Sequence, residues 1–481
     1  MGHFQFGYMV HMMSVLWDIT PCIYGFSPTN IRHVNVTANS IFPMMAAVGG
    51  AVSWKLSRYG KRKALIASSV ICLFGSGILY IGSVYAMIVA RGIIGIGFGI
   101  TSAVCPLFLY EIARARYIEI CIVSIWMWIN IGFLAPLLLD FFLPRVRRSD
   151  LIYENICTQL EGEHLIWREM VIPVSFVAFI QLIFLLFVFR RENPIYEKHL
   201  KDVSSSAESL EESSEEGYNA GINYDCNDQQ SSQRKETRLE KDTWSNLWRM
   251  SERKKIIAGC LMRGFQQLTG VNIILNYALT FVYDMEHKRI NLSFTITCAS
   301  SLFLIPSIIM IKRFGRKNLF MATMIITCLC CCILFQMAEE LTLVERKVPI
   351  LDSMPNTAST IVVWIFFICF WLNFSSTPVL YCSETLTDKG IAIVTAVSWS
   401  INTLVQALPS IAMAIIEQVQ GRTRFRKANS ILFFLLSGTA MVGFFCAALF
   451  VIETRGKSRR QMSEEFKERV FSLKNSKIYK H

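Results

Sequence analysis

The chain has 481 residues, of which 53% are hydrophobic and only 17% charged, with a formal net charge of +12. A soluble domain carries about 25% charged residues, so a chain built around a water-facing surface is excluded. The positive charge is scattered in short segments between apolar runs, which excludes a basic folded domain for nucleic acid as well.

In chain order, twelve apolar stretches centre near residues 10, 47, 73, 97, 128, 180, 267, 300, 328, 370, 403 and 440. Most reach the roughly 20 residues that cross a bilayer. The expected fold is therefore an all-α membrane protein of twelve transmembrane helices. The first stretch, "GHFQFGYMVHMMSVLW", is short and starts next to Met1. No basic segment precedes it and no small-residue cleavage site follows, so it is not read as a signal peptide. "SRYGKRK" (57–63) follows the second stretch. The fourth, "AMIVARGIIGIGFGITSAVCPLFLY" (86–110), carries Gly95, Gly97 and Gly99. Glycines inside a span, with no strand before them, point to close helix packing and not to a phosphate loop. "RARY" (114–117) comes next.

Past the sixth stretch, residues 191–254 are polar. The middle of this segment, 203–236, is rich in Ser and Glu and is expected to be disordered, since it has too little apolar surface to fold alone. It divides the chain into an N-terminal six-helix half (1–190) and a C-terminal six-helix half (255–454), followed by a basic tail (455–481). "KRFGRK" (312–317) follows the eighth stretch. Basic residues collect on the cytoplasmic side of membrane proteins. All these segments and both termini fall on one side, which is expected to be cytoplasmic; "RVRR" (145–148) is the exception. The sequons at Asn35 and Asn291 fall on the other side, as do Cys22 and Cys157, which are candidates for a disulfide. Most of the 15 cysteines lie within apolar stretches, and no Cys and His spacing suggests a metal site. No cofactor or obligate protein partner is implied.

The seventh stretch contains "FQQLTGVNIILNY" (265–277). On one ideal helix Gln266, Thr269, Asn272 and Asn276 share an arc of about 120°, with Gln267 on the other side of Gln266. A polar arc on a spanning helix faces the bundle interior or a wet cavity. Amides donate and accept at once, as sugar hydroxyls do. Trp399 and Asn402, three apart in the eleventh stretch, share a face. The bland alternative is that these amides only tie helices together.

The two halves echo each other. "SRYGKRK" pairs with "KRFGRK", and "PLFLYEIARAR" (106–116) with "PVLYCSETLTDK" (378–389). Parallel six-span repeats, "QQLTGVN" (266–272), "RGIIGIGFG" (91–99), "GY" (7–8) and "IETRGKS" (452–458) together resemble the sugar-porter branch of the major facilitator superfamily, which includes the GLUT-type hexose facilitators. The resemblance covers nearly the whole chain. It implies alternating access around a site between the halves, with Gln266, Gln267, Asn272, Asn276, Trp399 and Asn402 as substrate-binding residues. It also implies a cytoplasmic gate drawn from Arg58, Arg62, Glu111, Arg116, Arg313, Arg316, Glu384 and Lys389.

Several positions depart from the family pattern. Ser57 and Lys312 stand where the loop signature carries an acid. Val379 stands for a Trp, Trp126 for a sugar-contacting Gln, and Trp371 for an acid near the sugar. Met9 replaces the acid that takes up the coupling proton in symporters, and His11 is expected to point away from the cavity. The expected function is thus facilitative uniport of a hexose or related sugar across the plasma membrane. A carrier of a non-sugar solute and a non-transporting sugar receptor are the alternatives. An enzyme is not expected, because no nucleophile–base pair or mid-membrane acid pair is present.

Overall fold

Glycine and proline decide where the helices of this chain cross and where they break. The computed structural model describes residues 1–16, 28–113, 117–142, 163–188, 250–271, 274, 286–345, 357–415, 422–458 and 461–468. Among them the first half contributes α1 (Gly2–Leu16), α2 (Pro28–Ser57), α3 (Lys61–Leu79), α4 (Val84–Ile112), α5 (Ile118–Phe142) and α6 (Glu163–Phe187). The second half contributes α7 (Met250–Leu268), α8 (Glu286–Phe314), α9 (Arg316–Glu345), α10 (Thr357–Cys369), α11 (Thr377–Thr385), α12 (Asp388–Ile415) and α13 (Arg422–Phe450). A π-helical turn, Phe370–Phe374, joins α10 towards α11, and the described residues contain no strand. Eight of the described helical stretches are long and apolar enough to cross a membrane. The sequons at Asn35 and Asn291 fall inside α2 and α8. Cys22, Cys157 and residues 191–249 lie outside the described residues.

The halves meet along two seams, α2 against α12 and α5 against α8. Within each half the pattern repeats: α1 packs on α5 as α7 packs on α12, and α3 packs on α6 as α9 packs on α13. Small residues let these helices approach closely, which is how helices associate where lipid is as apolar as leucine. A Cβ on Gly7 would sit 2.1 Å from the Ile129 carbonyl oxygen, and one on Gly132 would sit 2.2 Å from that of Phe4, so these two glycines form the α1–α5 crossing. In the α4 glycine run, Gly95 and Gly99 lie against the carbonyls of Phe42 and Ala46 on α2, while Gly97 lies against Cys72 and Ser68 on α3.

Arg91 fastens the first half from within. It is 2% exposed; its Nε donates to the Ala38 carbonyl at 2.8 Å and its Nη1 to the Met9 carbonyl at 2.9 Å. One α4 side chain thereby joins α1 and α2.

The seventh span differs from the single ideal helix expected for it. α7 ends at Leu268, and Gly270 takes φ +69°, the left-handed conformation that closes a helix. The Gly270 amide donates to the Gln267 carbonyl at 3.1 Å, and a new turn begins with the Ile274 amide on the Gly270 carbonyl at 2.8 Å. The continuous helix on which the arc was drawn is therefore broken after Thr269.

Candidate substrate cavity and gate

The break in the tenth span builds one wall of the cavity. Pro378 lacks an N–H, so in a continuous helix it would strand the carbonyl four residues back, that of Phe374. The chain takes a π turn instead, with the Ser375 amide on the Phe370 carbonyl at 3.0 Å. Gln266 then supplies the missing donor. Its Nε2 reaches the carbonyls of Phe374 at 2.8 Å and Ser375 at 3.0 Å. A buried carbonyl left unpaired is costly, which accounts for an amide at this position.

Gln267, the next residue, faces α12. Its Nε2 donates to Ser398 Oγ at 3.3 Å, and its Oε1 accepts from Asn402 Nδ2 at 2.5 Å. Asn402 Oδ1 accepts in turn from Gln406 at 2.9 Å. On the same helix the Trp399 indole N–H donates to Ser102 Oγ of α4 at 3.1 Å, a hydrogen bond between the halves.

These residues surround a cavity bounded by α1, α4, α5, α7, the π turn, α11 and α12. The space between its walls, counted out through its open mouth and including solvent there, is about 690 Å³. Phe and Trp side chains are the largest group in its walls. Trp399 lies edge-on to Phe6 at 5.3 Å and to Phe98 at 5.1 Å. Trp126 lies edge-on to Trp371 at 5.9 Å. The polar groups among the lining residues are Gln266, Gln267, Ser102, His3 and Arg263.

At the end of the bundle that carries the basic loops, ion pairs join the two halves. Lys61 Nζ lies 2.5 Å from Glu111 of its own half and 3.1 Å from Asp388 of the other. Arg316 Nη2 lies 2.7 Å from Glu384 and 3.5 Å from Glu119 on α5. Thr454 donates to the second Glu384 oxygen at 2.6 Å. Glu453 accepts from the backbone amides of Arg316 at 2.9 Å and Lys317 at 3.1 Å, placing a carboxylate at the N-terminus of α9, where the helix dipole favours it. Gly315, at φ +82°, makes this turn, and a Cβ there would meet Glu453 at 2.5 Å.

The residues singled out in the sequence thus fall into groups. Gln266, Gln267 and Trp399 line the cavity, with Asn402 behind Gln267. Asn272, Asn276 and Arg116 lie outside the described residues. Glu111, Arg316 and Glu384 belong to the ion-pair network. Arg58 and Lys389 lie 4.6 and 5.8 Å from the Trp54 ring. Arg62 donates to the Leu185 and Leu186 carbonyls of α6 at 3.0 and 3.2 Å, within its own half. Arg313 stacks on Phe314 at 5.8 Å, and its carbonyl accepts from Arg455. His11 packs on Phe133 at 4.9 Å and is not among the cavity-lining residues.

Sequence reasoning missed His3, Ser102 and Arg263 in the cavity, and Lys61, Glu119, Asp388, Glu453 and Thr454 at the gate. Arg263 did carry a signal: a charged residue inside an apolar run marks an interior or functional position.

A helical membrane bundle with a cavity between its halves and ion pairs closing one end is a transporter architecture of the major facilitator type. The chain belongs to the family described as "Sugar (and other) transporter", whose profile matches residues 1–466. It is similar to hexose transporter 1 of Plasmodium yoelii yoelii, at 22% identity over 474 residues, 95% of this chain and 88% of that one. Its fold is similar to that of the proton:xylose symporter XylE bound to 6-bromo-6-deoxy-D-glucose, with TM-score 0.72, 17% identity and 97% of each chain covered. Against the inward-open conformation of XylE from E. coli the TM-score is 0.64, at 18% identity over 96% of this chain and 97% of that one.

Proposed function

We propose that this protein carries a hexose or related sugar across the plasma membrane by alternating access, as a facilitative uniporter. The observation that carries the reading is the cavity between the halves, closed at the basic end by Lys61–Asp388 and Arg316–Glu119. The basic end is the cytoplasmic one. Residues 1–190 and 255–454 are the two bodies that rock; 191–254 tethers them and 455–481 is the tail. Opening to the cytoplasm breaks the ion pairs between the halves, while Arg91 holds the first half together throughout.

Within the cavity, Gln267 and Trp399 take the sugar, and Asn402 holds the Gln267 amide from behind. A flat indole covers the C–H face of a sugar ring, and amides exchange hydrogen bonds with its hydroxyls. Gln266 holds the π turn in place beside them, and Asn272 and Asn276 complete the proposed set of sugar-binding amides.

Uniport is supported by the surroundings of Arg91. A coupling site needs a group that titrates between states. Met9 is buried beside Arg91, and the guanidinium is held by two backbone carbonyls. A second reading, proton symport, is favoured by one observation: His3, an imidazole, lines the cavity. Vesicles holding the purified protein, given a pH gradient and equal sugar on both sides, separate the two. Uniport predicts no net sugar movement. Accumulation abolished by a protonophore and by His3→Gln overturns it.

A further inference from the structure

Arg263 is a buried cation for which sugar transport gives no task. It lies on α7 one turn before Gln266, is 7% exposed, and lines the cavity. A guanidinium carries five N–H donors. Among the described residues this one has a single side-chain acceptor, Gln266 Oε1, 3.1 Å from Nη1. Among the described residues the cavity lining contains no Asp or Glu. The acids of the gate are already paired: Glu111 and Asp388 with Lys61, Glu119 and Glu384 with Arg316.

The contrast with Arg91 is instructive. That arginine is also buried, but two carbonyls on two helices engage it, and it is not among the cavity-lining residues. Arg91 has the surroundings of a structural cation. Arg263 has the surroundings of a cation waiting for a counter-charge. An arginine keeps its proton at neutral pH, so it cannot escape the cost of burial by becoming neutral. That cost is relieved when an anion arrives, and the planar fork of the guanidinium matches a carboxylate or phosphate through two parallel hydrogen bonds. The groups around it suit the rest of such a ligand. Ser102 and Gln267 exchange hydrogen bonds with hydroxyls, and Trp126, Trp371 and Trp399 offer ring faces.

We infer that the ligand of this cavity is a sugar bearing an anionic group, and that Arg263 is the residue that selects it. The inference rests on the sugar-carrier reading above and narrows the substrate from a neutral hexose to a sugar acid or sugar phosphate.

The test is a tryptophan-fluorescence titration of the purified full chain with D-glucose, D-glucuronate, D-glucose 6-phosphate and D-lactate. At least one of the two anionic sugars binds about tenfold or more tighter than glucose, the size of a hydrogen bond to a charged group. The tighter of the two identifies carboxylate or phosphate as the anchored group. Arg263→Gln abolishes the preference, and Arg263→Lys, which keeps the charge but loses the fork, retains part of it. Glucose binding as tightly as both anionic sugars overturns the inference and leaves the sugar-carrier reading standing. Lactate binding as tightly as the anionic sugars overturns the sugar-carrier reading itself. A preference that survives in folded Arg263→Gln removes Arg263 as the selecting residue. Should that variant not fold, the ranking in the unaltered protein and in Arg263→Lys decides.

Discussion

Gln266 donates to two backbone carbonyls released by the π turn, whereas Gln267, beside it in sequence, bonds only side chains of α12. The two amides should therefore fail differently. Gln266→Ala leaves the Phe374 and Ser375 carbonyls without that donor, at a cost of about 1–3 kcal/mol in stability. It should lower the melting temperature by several degrees, read by calorimetry in detergent. Gln267→Ala removes the acceptor of one buried donor, Asn402 Nδ2, so it should lower melting less than Gln266→Ala and weaken sugar binding about five- to thirtyfold. Equal melting losses with unchanged affinity in both would contradict the assignment. The sequence announced that these amides matter, because amides in an apolar span need partners. It did not distinguish their tasks. Gln266 is tied to the consequence of Pro378, more than a hundred residues away, and only the fold brings the two together. The single ideal helix expected for this span failed for a local reason: Gly270 takes a left-handed conformation, and a periodicity argument assumes that it does not.

At the scale of helices, the glycine run was legible as close packing, since a span offers small residues few other uses. Which glycine faces which helix was not, because that depends on the crossing partners. Gly132 makes the sharper case. Its Cβ position lies 2.2 Å from a backbone carbonyl on α1, and backbone cannot rotate away. Gly132→Val should force α1 off α5 at a cost of about 1–3 kcal/mol or more, seen as lost melting temperature and poor yield of folded protein. Gly438 in α13 has nothing within 4 Å of its Cβ position. Gly438→Ala should stabilise the protein by up to about 1 kcal/mol, since alanine gives up less backbone freedom in a helix. A glycine pair ranking the other way would mean that the α1–α5 crossing is wrongly drawn. The proline echo between the halves, by contrast, was misleading as symmetry. Pro106 sits inside a continuous α4, whereas Pro378 follows a break. Two similar motifs reached different backbones because Gln266 stands beside only one of them.

For the whole molecule, the twelve-span layout was readable from length and apolarity alone, and the gate was readable as a region. The individual pairings were not: Lys61 rather than Arg58 or Arg62 spans the seam, and Asp388 rather than Glu384 meets it. Pairing at a seam depends on which residue of a basic cluster points across it. Ion pairs between the halves bias the two end states only by their difference in energy between those states. Glu384→Gln loosens the carboxylate that holds Arg316 opposite Glu119 of the other half and should shift the balance towards the form open at the basic end. Net uptake should slow several-fold while equilibrium sugar binding stays within about twofold, since Glu384 is remote from the cavity lining. Binding lost together with uptake would place Glu384 in the substrate site instead. A site exposed alternately to the two sides of the membrane gives a signature in counterflow. Vesicles holding the protein are preloaded with unlabelled sugar and diluted into a trace of the same sugar, labelled. A carrier of this kind accumulates label transiently above the outside concentration and then loses it as the gradient collapses. Label that only equilibrates, with no overshoot for any sugar it binds, would contradict alternating access and make the chain a pore or a receptor.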